Sequence, residues 1–393
     1  MDRFVEFVGN GRGNSPTGVP CDPKVVMNYY DGNSVTALWN YAQHFSMSDH
    51  SFGSSFGPST VGALNLVAGQ TAGVSASTGN LTGEVQNNTV IGDPQPLGDA
   101  CTTRDAVRLS GTNVGDLLNS QGVTWGWFEG GFRAESPDGT LNCAASHNIG
   151  TALGGTGKTG SSPWGTKVDY IPHHEPFQYY ASTANPAHLA PTSVGAVGQT
   201  DRANHQYDLS DFWAAVANGN MPAVSFLKAP GYQDGHAFYS DPIDEQLFLV
   251  TTINALERTP EWAHTAVVIS YDDSDGWYDH LAGPLMSPSS APADALTGVG
   301  ECGSAQASAT QDRCGVGPRL PLLVLSPFAK SNFVSHALST QSSILRFIED
   351  TFNLGRVGGS SFDQQSPDTI QSTLQDHAQT PPLFLDPATG APV

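Results

Sequence analysis

The sequence predicts an α/β domain in which helices flank a mostly parallel sheet. Three observations predict it. The short apolar runs Thr265–Ser270 (TAVVIS) and Leu320–Leu325 (LPLLVL) are bounded by turn residues, as parallel strands buried on both faces are. Segments with apolar residues at helical spacing alternate with such runs, the pattern of a doubly wound fold. The 393 residues are 38% hydrophobic and 9% aromatic, enough for a large core and too apolar for intrinsic disorder.

The elements follow in order. Ser34–Phe45 is predicted helical, with Leu38, Tyr41, Ala42 and Phe45 on one face and Ser34 as its cap. A Gly/Ser-rich loop at 51–58 opens into a second helix with Ser59 or Thr60 at its N-cap. Residues 74–112 lack periodicity and predict loops or short hairpins, part of a loop-rich excursion over about 74–122. Val123–Phe132 reads as a strand entering a glycine turn. Asp208–Asn218 reads as a helix with Phe212, Trp213 and Val216 inward and Gly219 as its stop. Met221–Leu227 is a strand, and Asp244–Leu256 a helix with Leu249, Ile253 and Leu256 on one face. Ser342–Phe352 closes the pattern with Ile344, Phe347, Ile348 and Phe352 inward. One domain over 1–355 is expected, followed by a polar, proline-containing tail over 356–393.

Composition excludes several functions. The 37 acidic residues against 16 basic ones give a net charge of −21, which argues against a nucleic-acid partner. No apolar stretch approaches the roughly 18 residues of a membrane span. Cysteines stand at 21, 101, 143, 302 and 314, with neither CxxC nor zinc-finger spacing. Cys101 with Cys143 and Cys302 with Cys314 are candidate disulfides that leave Cys21 odd; five reduced thiols are the alternative. Few lysines and many Gly, Ser, Thr and Asn fit an exported protein. The opening Met1-Asp2-Arg3-Phe4-Val5-Glu6 is not a signal peptide.

Four clusters can carry chemistry. Ligands of open parallel sheets bind at the carboxyl ends of strands, and Thr265–Ser270 delivers Asp272 and Asp273 to such an end. Adjacent carboxylates need a counter-charge, which a hard divalent cation supplies; the alternative is an Asp-rich turn that caps a helix. His173 and His174 lie between prolines in an extended loop, and their side chains diverge, so at most one faces a given centre. His236 follows Asp234-Gly235 in the loop after Met221–Leu227. Ser59 sits at a helix N-terminus, where free N–H groups favour an anion, so its hydroxyl suits attack on phosphate as well as plain capping. There is no GxxxxGK[ST] P-loop.

Seven stretches together resemble the bacterial phosphoesterase family of non-specific phospholipases C and acid phosphatases, over about 1–352. They are YYDGNSVTALWNYAQHFSMSD (29–49), FGPSTVGALNLVAGQT (56–71), TWGWFEGGF (124–132), HHEPFQYYAST (173–183), YQDGHAFYSDPIDEQ (232–246), VVISYDDSDGWYDH (267–280) and LPLLVLSPFAKSNFV (320–334). The resemblance implies an alkaline-phosphatase-like fold and one divalent metal ion, with calcium, magnesium, manganese or iron all compatible. It implies Ser59 as nucleophile and metal contact, with Thr60 as the fallback, and a phosphoenzyme hydrolysed by water. It implies Asp272 and Asp273 as metal ligands, and His174 and His236 as groups that hold phosphoryl oxygens or protonate the leaving group. His173 belongs to the same motif. The expected substrate is a phosphomonoester or a phospholipid headgroup diester, and the expected location is secreted or periplasmic. The stretch 58–65 is more similar to the acid-phosphatase branch.

The family's N-terminal Glu-Asn-Arg-Ser-Phe-Asp-His motif has no counterpart in this sequence. Its Glu and Asn complete the family's metal shell, so the resemblance implies a chain begun at an internal methionine, short of its first strand and poorly active. Two other classes fit the composition: a non-catalytic remnant or binding module of the same fold, and a low-charge secreted structural protein.

Overall fold

The computed structural model describes residues 5, 22–133, 140–150, 165–237, 239–286, 314–359, 361–364, 366 and 369–393. Its helices are α1 (Thr36–His44), α2 (Ser59–Ala68), α3 (Val114–Gln121), α4 (Leu209–Ala217), α5 (Pro242–Leu256) and α6 (Gln341–Thr351). The strands that position the site are β1 (Ser46–Ser48), β2 (Trp125–Glu129), β3 (Gln206–Asp208), β4 (Val224–Lys228), β5 (Val267–Ser270), β6 (Leu322–Leu325) and β7 (Phe333–Ser335).

These strands form two half-sheets. One has the order β3-β2-β4 and is wholly parallel, with Gln206 opposite Trp127 and Val224 opposite Trp125. The other has the order β5-β6-β1-β7. Here β6 runs antiparallel to both β5 and β1, while β1 and β7 are parallel. The parallel reading of the two apolar runs at 265–270 and 320–325 is therefore corrected: they pair antiparallel, Val267 opposite Leu325. Their continuous apolar composition reports burial on both faces, and burial carries no information about strand direction.

Two helix layers cover the half-sheets. Ile269, Leu323 and Leu325 join Tyr41, Phe45, Phe128, Phe212, Val250 and Ile253 in the core on one face. Their neighbours Val268, Leu322 and Val324 point the other way, toward Ile344 and Phe347 of α6 and Leu66 of α2, as the two-residue period of a strand requires. On that face Leu64 and Val67 of α2 also pack with Trp125, Trp127 and Val224.

The helix starts follow local chemistry. Asn113 with Asp116 and Asp208 with Asp211 form capping boxes on α3 and α4. Asp241 caps α5, whose first residue is Pro242. Two expected caps are corrected. Ser34 donates its hydroxyl to Asp31 at 3.0 Å and does not cap α1, which begins after Val35. At α2 the N-cap is Pro58, so Ser59 is the first helical residue and its side chain is free for another partner.

Within 74–122, strands 74–78, 95–96 and 106–109 form a small three-stranded sheet beside α3. Cys101 and Cys143 are disulfide-bonded across a sequence separation of 42, with Cα atoms 5.3 Å apart. Cys314 is also in a disulfide; Cys21 and Cys302 lie outside the described residues. Loop-closure entropy gives the Cys101–Cys143 bridge about 4 kcal/mol. Urea unfolding of the double variant C101S/C143S is expected to register a loss of that order.

The C-terminal residues wrap the domain. Leu385 is buried, and the Asn254 side chain bonds its backbone both ways, at 3.1 and 2.8 Å. Asn40 Nδ2 donates to Gly390 O at 2.7 Å.

Glu349 of α6 is fully buried. Burial and the neighbouring Asp363 push its carboxyl up to about 8, from an ordinary 4.5. Burial likewise raises Glu257 to about 7. A group whose folded value is raised contributes stability that is complete below its unfolded value and lost as pH climbs through the folded one. The Tm is therefore expected to fall by about 5 °C between pH 5 and pH 9, and by less in Glu349→Gln, as calorimetry would record.

Candidate active site

The loops after β4 and β5 meet at the end of α2. Lys228 closes β4, and its Nζ lies 3.3 Å from Asp234 Oδ2. The same loop carries His236, whose Nε2 is 3.3 Å from Asp275 Oδ1 in the loop after β5. Ala237 N donates to Asp275 Oδ2 at 2.7 Å. Tyr239 stacks on the His236 imidazole with ring centroids 3.8 Å apart, and Lys167 Nζ sits 3.4 Å from the Tyr239 ring centroid. These contacts fix the plane of the His236 ring.

α2 lies directly on the loop after β5. A Cβ at Gly62 would come within 1.8 Å of Asp272 O, so only glycine permits this approach. One turn earlier, Ser59 Oγ donates to Asp273 Oδ2 at 3.0 Å. Thr60 is fully buried: its N–H donates to Asp93 Oδ1 at 3.0 Å and its hydroxyl to His173 O at 3.2 Å. The Thr60 hydroxyl is thus committed to a backbone carbonyl, while that of Ser59 faces a carboxylate.

A cavity of about 500 Å3 gathers Ser59, Asp93, His173, His236, Asp272 and Asp273. Of the residues expected at the site, His174 alone lies elsewhere. It lines an adjoining cavity of about 470 Å3, to which Asp272 and Lys228 also belong, and its Nδ1 is 3.7 Å from Asp234 Oδ2. The two adjacent histidines therefore diverge as the proline-flanked loop predicts, and His173 is the one beside Ser59. Burial and the positive charge of Arg104 push His173 down to about 3. Burial and Lys228 hold His174 well below its ordinary value. Both rings are neutral at pH 7, and among the described residues His173 Nδ1 and His174 Nε2 are buried without a hydrogen-bond partner.

The carboxylates are crowded. Burial, with Asp272 and Asp275 alongside, raises Asp273 well above the carboxylate range. Burial also raises Asp93 and Asp275, the latter opposed by His236. Among the described residues no basic side chain forms an ion pair with Asp272 or Asp273; Asp273 is bonded by the Ser59 hydroxyl and the Asp275 amide. An oxygen-rich, uncompensated set of this kind fits a hard divalent cation. The groups of the described residues that have the spacing of metal ligands lie elsewhere and include neither Asp272 nor Asp273: Asp49 with His50 and His336, and Asp99 with Cys101 and His188. In the second, Cys101 is committed to its disulfide.

Four participants were not identified from sequence. Asp93 lies in the aperiodic stretch 74–112, where no local pattern marks it. Asp275 stands in the same acidic run as Asp272 and Asp273, a signal that was available. Lys228 and Asp234 form a pair that the loop after β4 brings together.

The phosphoesterase family profile matches residues 1–355. The chain is 28% identical to a non-hemolytic phospholipase C of Burkholderia pseudomallei over 249 residues, 62% of this chain and 34% of that protein. It is 31% identical to a hemolytic phospholipase C of Pseudomonas aeruginosa over 140 residues, 35% of this chain and 19% of that one. It is 31% identical to non-specific phospholipase C6 of Arabidopsis thaliana over 166 residues, 38% of this chain and 30% of that one. The matches span about a third or less of each of these relatives. With the profile matched over nearly its whole length, the chain belongs to the phosphoesterase family.

Proposed function

We propose that the protein hydrolyses phosphoric esters, with Ser59 as nucleophile. The observation that carries this reading is the Ser59 Oγ to Asp273 Oδ2 hydrogen bond of 3.0 Å at the start of α2, inside the cavity shared with His173 and His236. The reading fits an alkaline-phosphatase-like arrangement, since β4 and β5 both lead into loops that bear site residues. In the first step Oγ bonds to phosphorus, its proton passes to Asp273 Oδ2, and the phosphorus–oxygen bond to the leaving group breaks. His236 donates a proton from Nε2 to the departing oxygen. Water then attacks the phosphoserine, and Ser59 recovers its proton. His173, neutral and buried, offers one ring N–H to a phosphoryl oxygen without adding charge, and the N-terminus of α2 favours the anion. His174 acts from the adjoining cavity, where with Asp234 and Lys228 it supports the loop that bears His236.

A divalent cation, calcium, magnesium, manganese or iron, would be held by Asp272, Asp273 and the Ser59 hydroxyl and would neutralise phosphoryl charge. The relatives' names favour a phospholipid headgroup diester as substrate, with phosphomonoesters as the second class. The Cys101–Cys143 disulfide supports a secreted or periplasmic protein. The test is hydrolysis of p-nitrophenyl phosphorylcholine and p-nitrophenyl phosphate, with and without each cation. Release of nitrophenol from either, together with a trapped phosphoserine at residue 59, is the expected result. No release under any condition would sink the reading.

A further inference from the structure

Strands β1 and β7 are parallel, with Ser48 opposite Ser335. The residues that follow them, Asp49 and His336, therefore leave the same end of the sheet side by side. Asp49 N donates to Ser335 O at 3.1 Å, and Ser339 N donates to His50 O at 3.0 Å, so the two exits are tied together. In a continued strand Asp49 and His50 would point to opposite faces. The chain bends at these two residues instead. The His50 ring comes round onto the Asp49 carboxylate and packs edge-on against Phe52, with ring centroids 6.2 Å apart.

Three ligand-type side chains converge as a result. His50 Nδ1 is 2.8 Å from Asp49 Oδ1. His336 Nδ1 is 2.9 Å from the same oxygen and 2.8 Å from Oδ2. The ligand atoms of all three residues lie within 4.8 Å of one another. The local charge leaves the carboxylate available. Arg319 is held by Asp279, Nη2 to Oδ1 at 2.7 Å, and reaches Asp49 at its backbone carbonyl, 3.3 Å away. Among the described residues no lysine or arginine pairs with the Asp49 carboxylate, whose ion-pair partners are the two imidazoles.

We infer that Asp49, His50 and His336 form a second cation site, one that takes zinc or another divalent ion that favours imidazole. Two nitrogens and one carboxylate oxygen are a zinc ligand set, with a fourth position left for water. The His336 side chain is 72% exposed, so water reaches that position. Zinc bonds of about 2.0 Å at tetrahedral angles set ligand atoms roughly 3.3 Å apart. The separations here are slightly shorter, and an outward swing of the exposed His336 ring supplies the difference. Calcium and magnesium prefer an all-oxygen shell and are poor occupants. None of the three residues lines the Ser59 cavity or the one adjoining it, so this site is separate from the carboxylates at Asp272 and Asp273. Its ion would clamp β7 to β1, the one strand that β7 pairs with among the described residues. The inference rests on the geometry of these three side chains and is independent of the phosphoesterase chemistry.

Isothermal titration with zinc tests it without reference to activity. Zinc also suits the carboxylates of the Ser59 cavity, so the titration is made in Asp273→Asn as well as in the parent chain. Asp273→Asn is expected to bind zinc and to unfold at a higher temperature with zinc than in chelator. Adding either His336→Gln or His50→Gln is expected to weaken that binding at least about 10-fold and to remove the shift. Circular dichroism checks that both variants keep the fold. Calcium is expected to give no shift that depends on residue 336. Equal zinc affinity with and without the two imidazoles would overturn the inference. So would zinc binding that is lost in Asp273→Asn alone, which would place the ion in the Ser59 cavity, or no zinc binding by any of the chains.

Discussion

Ser59→Ala is expected to abolish phosphoester hydrolysis, lowering kcat/KM by about 10³-fold or more. The magnitude follows from the role: without Oγ no phosphoenzyme forms, and only water attack in the same cavity remains. The measurement is nitrophenol release together with phosphoserine trapped by acid quench. Thr60→Val provides the contrast. Its hydroxyl bonds His173 O inside a fully buried environment, so its loss leaves that carbonyl unsatisfied and costs about 1–3 kcal/mol of stability. Trapped phosphoserine at residue 59 should persist in that variant. Retained turnover and trapping in Ser59→Ala would remove Ser59 from the mechanism.

Asp273→Asn is expected to change the response to divalent cations, and the sign depends on the cation. In chelator, the variant unfolds at a higher temperature than the parent, because one of three crowded carboxylates no longer ionises beside Asp272 and Asp275. With cation present the order reverses. The parent gains about 2.7 kcal/mol at a hundredfold excess over Kd, while the variant, short of one anionic ligand, gains little. Differential scanning fluorimetry across calcium, magnesium and manganese records both halves of the experiment. Equal shifts in parent and variant would place the cation elsewhere. The half-buried Asp49–His50–His336 group is the control site, since H336A should leave the effect unchanged.

Much of the architecture was legible in the sequence because helical and strand periodicity reflect burial. The apolar faces of 34–45, 208–218, 244–256 and 342–352 all belong to helices that pack as those faces require. Each helix begins or ends within a few residues of the expected point, and the differences come from caps: Pro58 takes the position expected of Ser59. Strand direction was not legible, because a run such as LLVL carries the same composition in either orientation.

The site divides in the same way. Ser59, Asp272, Asp273 and His236 were legible as chemistry-bearing residues at helix starts and strand ends, and the fold gathers them into one cavity. The choice of His173 over His174 as the neighbour of Ser59 was not, because it depends on how a proline-flanked loop is turned against α2. Nor was Asp93, which reaches Thr60 from an aperiodic segment 33 residues away.

By itself the sequence determined where the main helices lie and which chemistry-bearing residues stand at helix starts and strand ends. Those properties follow from side-chain type and spacing along a few turns. The tertiary structure alone decided the antiparallel pairing of β5 with β6 and the hydroxyl facing the carboxylate. Each depends on groups far apart in the chain, Ser59 and Asp273 among them, separated by 214 residues, which meet only through packing.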